Sequence, residues 1–278
     1  MMSAQLLSPE WIVAGLVWLG LLGVSLWAYG ALALRVRRKE GQVADRSFAL
    51  ADLLVVIVLS FWLGLAAFSG LMAAGGEGRE VIGSDLVEGA LFFGVLVTAI
   101  GGFLQWRKIP PVELFGLTRL PFFQAVGKGL GYLLLAYPTI LLSSFVMIRI
   151  LGEEARPQEV LEFFRHALAE SNLRDLLLAT FTSVIVAPIC EEFLFRGYIY
   201  GTLRRFLGPG LAIGLSSLLF AAIHVNLLAL PILFLLAICL ALAYEATGSI
   251  VVPIVMHLGF NSITLISTLY LYQAAPVP

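Results

Sequence analysis

Residues Thr180 to Phe206 read TFTSVIVAPICEEFLFRGYIYGTLRRF, an apolar stretch interrupted by Glu191, Glu192 and Arg196. An ionised side chain in the middle of a membrane helix costs about 2.5–3.5 kcal/mol on insertion scales, so such residues usually serve a function. The rest of the chain decides whether this stretch lies in a bilayer. It has 278 residues, 60% of them hydrophobic and 13% charged, with a mean hydropathy of +0.98. A typical soluble domain is about 25% charged, and no soluble fold of this length could bury so much apolar surface. Lipid accepts apolar side chains on every helix face. The sequence therefore specifies an all-α, polytopic transmembrane helix bundle.

A span needs about 20 mostly apolar residues. About eight candidates meet this: 11–34, 49–74, 86–106, 122–151, 174–200, 210–229, 231–247 and 250–273. The sixth and seventh are short and adjoin at Pro231. The first is too long for the apolar core of a secretory signal and lacks a preceding basic segment, so it reads as a retained span. Residues 157–170 (PQEVLEFFRHALAE) space their apolar residues helically among polar ones, as an interfacial amphipathic helix does. His166 on that segment reads as a surface residue.

Basic residues set orientation. Arg35, Arg37, Arg38, Lys39 and Arg46 follow the first span. Arg107, Lys108, Arg119 and Lys128 follow the third, and Arg196, Arg204 and Arg205 follow the fifth. The opposite side has only Arg79, Arg149, Arg156, Arg165 and Arg174 of the 17 basic residues. The richer side should be cytoplasmic, with both termini outside. A net charge of -1 gives no field for nucleic acid. Cys190 and Cys239 form neither a disulfide framework nor a zinc-ribbon spacing. Asp52 and Glu88 stand near span starts and can snorkel, and Glu245 should reach interfacial water at the end of the seventh span.

The remaining polar residues converge. Glu192 and Arg196 are four apart and can pair on one helix face, while Glu191 is rotated by about 100°. His224 ends the sixth candidate span, on the far side of the FLGPG turn from Glu191. A hairpin there brings both side chains to similar depth. His257 and Asn261, four apart in the last span, point the same way. A carboxylate beside a histidine can hold and deprotonate water, and a histidine with an asparagine can donate to a developing oxyanion. Together these describe amide hydrolysis. No serine or cysteine stands as nucleophile; Cys190 projects away from Glu191. Glu191, His224 and His257 could instead hold zinc with a site left for water, although the HExxH helix motif is absent; the metal-free scheme is preferred. Each feature also has a structural reading: an ion pair for Glu192–Arg196, a packing histidine at 224, interhelical hydrogen bonds for His257 and Asn261.

The elements EEFLFR (Glu191–Arg196), FAAIH (Phe220–His224) and HLGFN (His257–Asn261) resemble the EExxxR, FxxxH and HxxxN motifs of the CPBP family, the CAAX-prenyl-protease and bacteriocin-processing intramembrane endopeptidases of the Abi group. The match covers roughly residues 174–273 in the expected order, and YEATGS (Tyr244–Ser249) is similar to bacterial members, which implies a bacterial cytoplasmic (inner) membrane. The resemblance implies that Glu191 and His224 activate water, that His257 and Asn261 stabilise the oxyanion, and that Glu192 and Arg196 hold the site's shape. It covers both metal-dependent and metal-independent descriptions.

The expected organisation is thus N-terminal spans of unassigned role over 1–110 and a catalytic transmembrane core over 111–278. The expected partner is a membrane-embedded or lipid-anchored peptide or protein in the bilayer. A proton-relaying transporter and a non-catalytic immunity protein are the readings from other classes. The substrate and the oligomeric state are not encoded in any motif.

Overall fold

Inside lipid a backbone can hydrogen-bond only to itself, so an apolar stretch of this kind winds into helix. A computed structural model describes residues 9–73, 83–151 and 159–274 of the protein. They form α1 (Pro9–Arg37), α2 (Leu50–Ala73), α3 (Gly83–Trp106), the single turn α4 (Pro111–Leu114), α5 (Phe122–Leu151), α6 (Glu159–Ala169), α7 (Leu173–Leu207), α8 (Pro209–Ala222), α9 (Ala229–Thr247) and α10 (Val251–Ala274). No strand occurs among these residues. Seven helices are long and apolar enough to cross a membrane: α1, α2, α3, α5, α7, α9 and α10.

The eighth expected span is α8, which has only 14 residues. It starts where Gly208 takes a φ of +80° and Pro209 occupies the first helical position, where its missing N–H costs nothing. It stops at Ala222, so His224 sits in a turn over 223–228 and not on a helix. Asn226 Oδ1 accepts from Ala229 N at 2.9 Å in that turn. Pro231 lies in the first turn of α9, not between the helices. The fifth span is longer than expected, with 35 residues.

Helix α9 is the central post: Leu236, Ala237 and Leu240 are fully buried. Helices α8, α5, α10 and α1 pack around it. Helices α5 and α10 approach closely at Gly129, where a Cβ would lie 2.7 Å from Val255 Cβ. Small residues allow such approach where no hydrophobic effect drives helices together. The N-terminal spans belong to the same bundle, with α2 against α7 and α8, α3 against α7, and α1 against α5 and α9. Helix α6 turns its apolar face inward, with Phe163 and Phe164 in one buried cluster with Ala179 and Leu265; His166 is exposed. Residues 157 and 158 of the expected amphipathic segment lie outside the described residues, as do Arg79 and Arg156.

The basic loops gather at one end. Arg119 Nη1 donates to Gln42 O at 3.2 Å, Arg107 Nη2 to Ser47 O at 3.4 Å, and Gln42 N to Glu245 O at 2.8 Å. Gly248 ends α9 with a φ of +63°, and a Cβ there would lie 2.8 Å from Arg119 Nε. Both the left-handed backbone and the close contact call for glycine. Three expectations need correction. Arg196 is not a loop residue; it is 3% exposed within α7. Asp52 does not snorkel: it is fully buried and accepts from Arg107 Nη1 at 2.5 Å, Ala49 N at 2.7 Å and Tyr198 Oη at 3.2 Å. Glu245 does not reach interfacial water either. It is fully buried, accepts from the Tyr200 hydroxyl, and pairs with Arg204 Nε at 2.5 Å. Arg204 also pairs with Asp45 in the loop after α1. Carboxylates with enough donors can stay inside, and here those donors join the first loops to α7 and α9.

Removing one partner of a buried ion pair strands the other and costs about 3–5 kcal/mol. Glu245→Ala should lower the stability of the detergent-solubilised protein by that order, and Glu245→Gln by less. Thermal melting of the three proteins checks this, and equal midpoints would contradict the network's role.

Candidate active site

Helix α7 carries two of the candidate residues past a local distortion. Phe181–Val186 and Phe193–Tyr200 are wound as π-helix, and Ala187–Glu192 between them is α-helical. Ala187 N donates to Thr182 O, five residues back. The next donor in that register would be residue 188, but Pro188 has no N–H. The Ser183 carbonyl is therefore left over, and Asn261 Nδ2 of α10 donates to it at 2.7 Å. A proline and an asparagine from two helices thus settle a turn that a regular α-helix would not contain. Wide turns of this kind are frequent at functional sites.

Glu191 and Glu192 lie near the middle of α7. The Glu192 side chain is fully enclosed, and its Oε1 accepts from Arg196 Nη1 at 2.8 Å and pairs with His257 Nδ1 at 2.9 Å. With Nδ1 committed to Glu192, His257 presents Nε2 toward Glu191, whose Oε2 lies 3.8 Å away. Phe220 of α8 is the apolar centre of the arrangement. Its ring packs 4.9 Å from the His224 ring, 5.6 Å from His257 and 5.2 Å from Phe195, with the Arg196 guanidinium 4.3 Å from its centroid. A cation over an aromatic face is attracted by the ring quadrupole. His224 Nδ1 bonds the Phe220 carbonyl at 2.7 Å, which leaves Nε2 free to face elsewhere.

Glu191 and His224 line one cavity of about 330 Å³. Its other walls are Ile223 and Val225 beside the histidine, Trp62, Leu63, Ala66 and Ala67 of α2, and Phe92 and Phe93 of α3. Val225 has a φ of +49°, a genuine outlier for a β-branched residue. Gly70 of α2 backs it: a Cβ there would lie 2.9 Å from Val225 Cγ1.

The structure thus brings Glu191, Glu192, Arg196, His224 and His257 together around Phe220. Asn261, one helical turn beyond His257 on α10, has one amide N–H on the Ser183 carbonyl. The division expected between the glutamates is modified, because Glu192 binds His257 as well as Arg196. Among the described residues, no three His, Cys, Asp or Glu side chains are grouped closely enough to hold a metal ion together. Cys190, next to Glu191 in the chain, is half-buried and forms no disulfide. Sequence reasoning gave Phe220 no separate role, although FAAIH contained it, and it passed over the walls from α2 and α3. Nothing in the pattern of those spans separates Trp62 or Phe92 from aromatic residues that meet only lipid.

Two carboxylates near the middle of α7 thus meet a histidine of α10 and one from the turn after α8. Residues 173–263 match the family described as Type II CAAX prenyl endopeptidase Rce1-like. The membrane-embedded CAAX protease MroQ of Staphylococcus aureus (strain USA300) is 31% identical over 99 residues, which cover 34% of this chain and 40% of MroQ. An Escherichia coli protein described as an uncharacterized 24.3 kDa protein is 29% identical over 185 residues, 63% of this chain and 80% of that protein. No solved structure matches the chain.

Loss of the Asn261 amide would leave the Ser183 carbonyl without its donor, at a cost of about 1–3 kcal/mol. Asn261→Ala should lower the melting temperature accordingly. Adding Pro188→Ala, which restores an N–H in the right register, should recover part of that loss. A double variant no more stable than Asn261→Ala would show that the carbonyl is not what the amide serves.

Proposed function

We propose that the protein hydrolyses a peptide bond of a membrane-associated protein or peptide, with water activated by Glu191 and His224. The observation that carries this reading is that these two side chains line the same cavity, with His257 Nε2 3.8 Å from the Glu191 carboxylate. Glu191 takes a proton from water as the water oxygen bonds to the scissile carbonyl carbon. The carbonyl π pair moves onto oxygen, giving a tetrahedral oxyanion. Donors from His257 and from the second N–H of Asn261, whose first is held by Ser183, stabilise that charge. Collapse of the intermediate breaks the C–N bond, and the proton held at Glu191 passes to the leaving nitrogen. Glu192 and Arg196 keep His257 oriented through the shared Oε1. No step in this scheme uses a metal.

The same reading gives a topology. The end that gathers Arg107, Arg119 and Arg204 faces the cytoplasm; because α7 and α9 both end there, joined by Arg204–Glu245, short α8 and the turn after it return the chain between them, and both termini lie outside, in the cytoplasmic (inner) membrane of a bacterium. The substrate is a membrane-embedded or lipid-anchored chain that reaches mid-span.

A positioned general base contributes about 10²–10⁴-fold, so Glu191→Gln should reduce cleavage by that order while the melting temperature holds. New protein termini in membranes of cells carrying wild-type or Glu191→Gln protein provide the readout, and termini that persist unchanged in the variant would refute the assignment. Turnover by purified enzyme should also survive chelator treatment, with no stoichiometric zinc by elemental analysis. Loss of turnover with chelator and recovery on adding zinc would favour the metal-dependent scheme.

A further inference from the structure

We infer that α2 and α3 form the specificity pocket of this site, which takes an apolar side chain of the substrate residue flanking the scissile bond. The inference rests on the endopeptidase reading above. Four observations carry it. First, the cavity that contains Glu191 and His224 is otherwise walled by apolar and aromatic side chains: Trp62, Ala66 and Ala67 on one side, Phe92 and Phe93 on another. A polar side chain placed there would lose its hydrogen bonds to water and find few new partners.

Second, at about 330 Å³ the space is at the small end of ligand pockets, which run from about 300 to 1,000 Å³. It suits one side chain beside the reacting backbone, not a folded segment. Third, the rim faces the bilayer. Trp62 is 49% exposed and Phe92 40% exposed, both lie well within their spans, and their rings pack 5.3 Å apart across the mouth. A side chain arriving there comes from lipid, and an apolar one enters without exchanging environments.

Fourth, the rim residues lie outside the matched stretch of 173–263. The pocket walls therefore come from other segments of the chain than the groups assigned to the chemistry. Trp62 on α2 and Phe92 and Phe93 on α3 set its width, and Ala66, one turn along α2 from Trp62, sets its depth. Because Trp62 and Ala66 are exposed to lipid, substitutions at either leave the buried core of the bundle intact.

One methylene in an apolar pocket shifts selectivity by about 10–200-fold. Membranes from cells carrying wild-type, Trp62→Ala, Ala66→Phe or Glu191→Gln protein are compared by the residues that flank new protein termini. Trp62→Ala should shift the profile toward larger apolar residues by about tenfold or more, and Ala66→Phe should shift it toward glycine and alanine. Phe92→Ala serves as a second widened variant if either of these fails to melt cooperatively. An unchanged size profile in folded variants, whether total cleavage is intact or uniformly reduced, overturns the pocket assignment. Termini that persist in Glu191→Gln overturn the endopeptidase reading, and the pocket assignment falls with it.

Discussion

The carboxylate of Glu192 is the constraint on which the rest of the site depends. It is fully shielded, yet one oxygen binds both the Arg196 guanidinium and the His257 imidazole. An unpaired charge at that position would be severely unfavourable, because desolvation of an ion in a low-dielectric interior exceeds what most contacts return. The arginine on the same helix offsets that cost, and the histidine brings α10 into register with α7. Phe220 then fills the space between Arg196 and the two histidines. The second carboxylate, Glu191, is left on the cavity side. Two adjacent glutamates thus occupy different environments through a single helical offset.

The backbone shows the same economy. Pro188 removes a donor from α7 and Asn261 replaces it from α10. Their pairing fixes α10 on α7 two turns before Glu191, while the Glu192–His257 contact fixes it again nearer the carboxylates. Two polar ties at different heights define the rotation as well as the distance of one helix against another. At the basic end, Asp52 and Glu245 do comparable work between the N-terminal loops and the core.

Much of this was legible in the sequence. Composition required a helical bundle, and the motif residues on α7 and near α8 did lie close to one another. What could not be read were features produced by long-range contacts. Asp52 and Glu245 looked like interfacial carboxylates because their donors, Arg107 and Arg204, are 55 and 41 residues away. The double engagement of Glu192 was hidden because helical periodicity pairs it with Arg196 and says nothing of His257, 65 residues on. The early end of α8 was unreadable for a related reason. Ile223 and Val225 could continue a helix, and the left-handed turn at Val225 packs against Gly70 of α2, a contact far off in sequence.

That cavity is assembled from two stretches of chain with separate histories open to them. Its polar floor comes from α7 and the turn after α8, while much of its wall comes from spans that precede the matched region altogether. Substitutions on the lipid-facing side of α2 or α3 carry little folding penalty, because large apolar residues of any shape are tolerated against acyl chains. Such positions can drift, duplicate and be selected without disturbing a single ionisable group. A scaffold divided in this way lets the apolar wall change shape while the ionisable groups stay where they are.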